Sequence, residues 1–305
     1  MKKLTTLFSG TAVGAVLSFA ASLGAGAAEA ASPDTPTAQV GTPGCTLALS
    51  GSCTPSLEAR PPAIPAAVPP AIPPAVPVAA APLAATQAAP MPVGVPGAWT
   101  LTFGDEFDGS TLDTNKWSRS WFVGGRVNNV KTDPANVTVG SGHLSLKLAK
   151  AGTGALVSSN PLDTAKTGYE FRTGYVEARI SFPGNGKLLH NFPAWWTTGQ
   201  SWPATGENDI AEVLGGKLTS NYHSSSGSRN HGPIPGYWGD TFHTYGLWRK
   251  VDRSEVYVDG VLVKSFRTDD GNAPQYLVLN VGKGGPSTVY GKASTVKVDY
   301  VRAWQ

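Results

Sequence analysis

Cysteine is nearly absent: Cys45 and Cys53 are the only two in 305 residues, and both lie far upstream of the polar segments that could carry chemistry. In an exported chain they can close a small disulfide loop, but they have no place in a reaction centre. Histidine is also sparse, and His190, His223, His231 and His243 are scattered without zinc-ligand spacing. Charged residues make up only 15%, and the formal charge of +3 is spread along the chain. With no basic stripe, nucleic acid and anionic membrane are poor partners. From Trp99 onward there is no sustained helical periodicity, which excludes a helical bundle.

A single apolar stretch, residues 4 to 23, follows Lys2-Lys3 and is interrupted by Ser9, Gly10, Thr11 and Gly14. With Ala28-Glu29-Ala30 after it, residues 1–30 read as a secretory signal rather than a retained anchor. The expected mature protein is therefore secreted, with no membrane contact after cleavage. Residues 31–59 are too short for a core of their own. Residues 60–97 form a Pro/Ala-rich linker, as in Pro69-Pro70-Ala71-Ile72-Pro73-Pro74. Proline at this density disfavours helix and sheet, and the tract is equally readable as a spacer or as an inert tail.

What is present from residue 98 to 305 is strand patterning. Leu144, Leu146 and Leu148 alternate with polar neighbours, as do Val176, Ala178, Ile180 and Phe182. Val256 and Val258 lead into Asp259-Gly260, with Val261 and Val263 beyond, which predicts a hairpin through a type I′ turn. Leu277, Leu279 and Val281 mark another buried face. Many short strands without helices predict one all-β sandwich domain.

The densest chemistry is Glu207-Asn208-Asp209-Ile210-Ala211-Glu212, three carboxylates in six residues with no Lys or Arg among them. Glu207 and Asp209 share a strand face by alternation, and a β-bulge near Ile210-Ala211 would return Glu212 to it. Such crowding raises at least one pKa, so one carboxyl stays protonated beside an ionised one. That pairing is what glycosidic cleavage requires. Taken alone, the six residues also fit a solvated acidic edge strand. Just upstream stand Trp195, Trp196 and Trp202, of a residue type that stacks on sugar faces and also fills cores.

The run Trp202-Pro203-Ala204-Thr205-Gly206-Glu207-Asn208-Asp209-Ile210-Ala211-Glu212 resembles the bulged active-site signature of glycoside hydrolase family 16, which includes laminarinases and lichenases. Asp105-Glu106-Phe107, Leu112-Asp113 and Trp117 resemble the start of that domain, and Phe171 to Ile180 its central strand pattern. Phe242-His243-Thr244-Tyr245, Tyr257-Val258-Asp259-Gly260 and Asp299-Tyr300-Val301-Arg302 fit its C-terminal half.

The resemblance implies a jelly-roll β-sandwich of two curved antiparallel sheets, with a concave cleft for a polysaccharide. It implies a monomeric, retaining endo-glycosidase acting on β-1,3- or mixed β-1,3-1,4-glucan, with Glu207 as nucleophile and Glu212 as general acid/base. Asp209 would hydrogen-bond the nucleophile, and Trp196, Trp202, His223 and Asn129 would bind substrate. No cofactor is expected for catalysis. A structural calcium is implied at Asp299, with Glu106 and Gly142 near its carbonyl positions, although Asp299 could equally pair locally. A transglycosylase or a non-catalytic glycan-binding module on the same scaffold are the alternatives. The sequence departs from the family at Asn208, where a branched aliphatic normally faces the core. It departs also after Asn129 and across Lys187 to Phe192, which blurs the substrate. Tyr237 and Trp238, in a Gly/Pro-rich loop, are further candidates for the cleft border.

Overall fold

The hairpin forms as its alternation predicts. Val258 pairs with Val261 across Asp259-Gly260, whose φ angles of 48° and 76° are those of a type I′ turn. Glycine adopts the second angle without a Cβ clash, and Asp is among the few other residues that tolerate the first. The computed structural model describes residues 89–305, apart from 120–125, 128–129, 151, 162–167 and 286–287. The expected signal, the segment with Cys45 and Cys53, most of the Pro/Ala-rich tract and Asn129 lie outside the described residues.

The first strands are β1 (Leu101–Asp105), β2 (Arg126–Val127), β3 (Val130–Lys131), β4 (Val137–Gly140), β5 (His143–Leu148), β6 (Ala155–Ser158), β7 (Glu170–Phe171) and β8 (Gly174–Ser181). There follow β9 (Phe192–Thr198), β10 (Glu207–Leu214), β11 (Lys217–Ser224), β12 (Gly227–Pro233), β13 (His243–Arg249) and β14 (Arg253–Val258). The last are β15 (Val261–Arg267), β16 (Gln275–Gly282) and β17 (Ser294–Trp304). One antiparallel sheet runs β15-β14-β13-β8-β17-β5-β4, with β1 also on β17. The other runs β12-β11-β10-β9-β16-β6, with β7 on β16.

The two sheets enclose the core. Val176, Ala178 and Ile180 of β8 and Leu144 and Leu146 of β5 belong to the same buried cluster as Trp195, Ile210, Val213, Leu277 and Leu279 of the second sheet. Each Val, Leu or Ile among them contributes about 1.5–3 kcal/mol when fully buried. Trp195 points inward, as expected from its neighbour's opposite face, and its Nε1 donates to the Tyr245 carbonyl of the other sheet at 3.1 Å. Asn208 also faces the core, and its Nδ2 donates to Gln275 Oε1 at 2.9 Å. Gln275 in turn donates to Asp270, which is ion-paired with the fully buried Arg249 at 2.9 Å. That buried network serves the Asn208 amide nitrogen where an aliphatic was expected, while its Oδ1 has no hydrogen-bond partner among the described residues.

Packing begins earlier than the boundary at residue 98. The Pro90 carbonyl accepts from Trp304 Nε1 at 2.7 Å, and Val93 N donates to Glu177 Oε2 at 3.1 Å. Val95 is buried with Tyr175 and Trp304. Gly94 lies so close to the hairpin turn that a Cβ there would come within 2.6 Å of Gly260 Cα. The last residues of the Pro/Ala-rich tract therefore belong to the packed body.

Candidate active site

The register of β10 changes between Asp209 and Glu212. Asp209 opposes Asn221 and Glu212 opposes Thr219 on β11, and Asp209 opposes Trp196 while Ala211 opposes Trp195 on β9. Ile210 and Ala211 are both wholly buried in the core cluster, so two consecutive side chains face inward. This is the extra residue of a β-bulge, and it returns Glu212 to the face of Glu207 and Asp209. Gly206 holds the approach to β10. Its φ is 71°, and a Cβ would lie 2.6 Å from Asp270, so glycine is needed on both counts.

On that face the acids are screened from water. Asp209 is 4% and Glu212 8% exposed, while Glu207 is half-buried. Their ion-pair contacts among the described residues are with one group, His223, opposite Glu207 on β11. His223 Nε2 lies 3.1 Å from Asp209 Oδ2 and 3.8 Å from Glu207 Oε1. Asp209 therefore sits close to both Glu207 and the His223 ring. His223 Nδ1 contacts Ser228 Oγ at 2.6 Å, which orients the ring. Asn221 Nδ2 donates to Glu212 Oε2 at 2.6 Å.

The electrostatics follow from this shortage of positive charge. Burial, then the nearby Asp209 and Glu212 charges, hold the Glu207 pKa well above the ordinary carboxylate range. Burial and Asp209 do the same to Glu212, against the opposing hydrogen bond from Asn221. For His223, burial acts to lower the pKa, and the adjacent Asp209 more than reverses it. The result is a cluster that keeps a proton on a carboxyl group under conditions where an isolated one would be ionised.

Trp196 borders the acids from β9, half-buried, and its Nε1 donates to Asn280 Oδ1 of β16 at 2.7 Å. Trp202 is exposed in the β9–β10 loop, after which comes a cis bond to Pro203. Trp238 does not join the acids. Its Nε1 donates to the Ile234 carbonyl, and it lines a separate hollow of about 490 Å³ with Pro235, Val258 and Val261. That hollow holds none of the three clustered acids, which lie together on the β10 face. Asn221, Ser228 and Asn280 were not singled out from sequence. Counting back two from His223 places Asn221 on the same face, a signal that was available.

A family profile for glycosyl hydrolases family 16 matches residues 125–302, more than half of the chain. The chain belongs to glycosyl hydrolases family 16. The curated glucan endo-1,3-beta-glucosidase A1 of Niallia circulans is 27% identical over 266 residues, covering 67% of this chain. The chain spans only 38% of that relative's length. Among solved structures, SCLam, a non-specific endo-beta-1,3(4)-glucanase from family GH16, matches with 26% identity and a TM-score of 0.58, over 71% of this chain and 94% of that one. LamAcat from Zobellia galactanivorans matches with 27% identity and a TM-score of 0.54, over 68% and 98% respectively. These neighbours share the jelly-roll sandwich.

For the calcium implied by the family, the side-chain donors are already engaged. Asp299 Oδ2 accepts from Arg179 at 2.6 Å and its Oδ1 lies 3.8 Å from His143, while Glu106 takes both its bonds from Arg302 at 2.8 and 2.7 Å. Gly142, at φ 71°, lies in the turn between β4 and β5, next to His143. Calcium would compete with a guanidinium for Asp299, the one side-chain ligand expected of it. A calcium-dependent rise in Tm that Asp299→Ala removes is the observation that would establish a site.

Proposed function

We propose that this protein is a secreted endo-glycosidase that hydrolyses β-1,3- or mixed β-1,3-1,4-linked glucan with retention of configuration. The observation that carries this reading is the bulge, which gathers Glu207, Asp209 and Glu212 on one face with a single imidazole to balance them. The relatives named for endo-1,3-beta-glucosidase and endo-beta-1,3(4)-glucanase activity support the substrate class.

In the first step the ionised Glu207 attacks the anomeric carbon. The C–O bond breaks with its electron pair moving to the glycosidic oxygen, which takes the Glu212 proton. In the second, Glu212 accepts a proton from water, the water oxygen bonds to the anomeric carbon, and Glu207 departs as carboxylate. Asp209 and His223 act on this pair through charge: the imidazolium offsets one carboxylate, which allows Glu207 to ionise beside a protonated Glu212. Trp196 offers a flat apolar surface for a sugar ring next to the reacting bond.

The test is a screen of the purified protein on laminarin, mixed-linkage glucan, agarose and xyloglucan, with the anomer of the first product read by NMR. Cleavage of the first two with retained β-configuration is expected. Cleavage of agarose alone, or an inverted product, would overturn the substrate or the mechanism. Product analysis with a labelled acceptor sugar separates transfer from hydrolysis.

A further inference from the structure

Glu212 has to alternate between donor and acceptor of one proton, and which of its two oxygens carries that proton depends on its neighbours. Resting on the reading above, we infer that Asn221 is the positioning residue of the acid/base: its amide fixes Glu212 Oε2 as an acceptor and leaves Oε1 to carry and deliver the proton. Asn221 is 3% exposed and its Nδ2 lies 2.6 Å from Oε2.

The direction of this bond is set by a third residue. Thr219, opposite Glu212 in the register, donates its hydroxyl to the Glu212 carbonyl at 3.0 Å. With that hydrogen committed, Thr219 Oγ1 presents only lone pairs to Asn221, whose Nδ2 lies 3.4 Å away. A flipped amide would place Oδ1 against two acceptors, Thr219 Oγ1 and Glu212 Oε2. The amide is therefore held as a donor. An oxygen that accepts an N–H is the poorer place for a proton, so protonation of Glu212 falls on Oε1. The same bond stabilises the ionised form, which limits how far burial and Asp209 raise this pKa and keeps the group exchangeable in both steps.

The test is Asn221→Leu, which keeps the branched shape and removes the donor, with Asn221→Ala as a second variant against the steric misfit of the larger leucine. Each is assayed well below its Tm on laminarin and on a 2,4-dinitrophenyl β-glucan oligosaccharide, whose leaving group needs no proton. On laminarin kcat should fall about 10- to 100-fold, part of what general acid catalysis supplies. First-turnover release of dinitrophenolate should stay within about threefold of the unmodified protein, because that step does not depend on the acid. The alkaline limb of the laminarin pH profile should move up by about half to one unit, since the ionised form loses a hydrogen bond. Equal losses on both substrates in both variants, or an unmoved alkaline limb, would overturn the assignment. Glu212→Ala separates this from failure of the reading beneath it: if that variant retains activity on laminarin, Glu212 is not the acid, whatever Asn221 does.

Discussion

In the sheet built on β8 and β17, carboxylates have dedicated partners. Asp299 meets Arg179, Glu106 meets Arg302 through two bonds, and Glu255 meets Lys250 at 2.8 Å. Even Glu177, which is fully buried and raised in pKa by that burial, accepts from Tyr300 at 2.7 Å, Val93 N at 3.1 Å and Tyr175 at 3.4 Å. On the β10 face three carboxylates share one histidine and one asparagine. Both sheets bury acid, but only one leaves it under-compensated. Satisfied carboxylates hold strands and the N-terminal segment in place. The under-compensated ones have raised pKa values, which suits the proton transfer proposed for them, at a cost in stability.

The largest expected effect breaks the comparison directly. Glu207→Gln removes the nucleophile and should lower turnover by at least about 10³-fold, whereas Glu106→Gln, which weakens a pair on the other sheet, should leave kcat within about twofold. Steady-state rates on laminarin check both. Comparable losses in the two variants would mean that the β10 cluster is not special.

Next in size is removal of residues before Gly97. This takes away Val95 and the Val93 bond to Glu177, and Tm should fall by about 5–10 °C, from loss of a few kcal/mol in a domain of this size. Activity of the remaining folded protein at low temperature should be unchanged. An unaltered Tm would show that the segment merely lies on the surface.

The smallest effect concerns pH. Because the folded pKa of Glu207 lies above its unfolded value, its contribution to stability is complete below the unfolded pKa and is lost as pH rises through the folded one. Glutamine does not titrate. Glu207→Gln should therefore melt about 2–5 °C above the unmodified protein at pH 8, with the gap shrinking toward pH 5. A gap that widens as pH falls would reverse the sign of the pKa argument.

Much of this was legible in the residues. Strand alternation gave Val176 to Phe182 and the Asp259-Gly260 hairpin, because period-two burial and turn chemistry are local properties. The bulge was legible too, since only an extra residue makes Glu-x-Asp-x-x-Glu face one way. Long-range pairing was not. Nothing local says that Asp209 meets His223, that Asn208 is served by Gln275, or that Trp238 turns toward Val258 and Val261. The boundary at residue 98 failed for a related reason. Proline-rich composition marks Pro90 to Pro96 as linker-like, but the burial of Val95 among them depends on Tyr175 and Trp304, which are far along the chain.

The most direct measurement is covalent trapping. An activated 2-deoxy-2-fluoro β-glucan oligosaccharide slows both steps but, with a good leaving group, lets the glycosyl-enzyme accumulate. Digestion and mass spectrometry should then find one glycosyl adduct, on Glu207, absent in Glu207→Gln. An adduct on Glu212 or Asp209, or none under conditions where the leaving group is released stoichiometrically, would contradict the account.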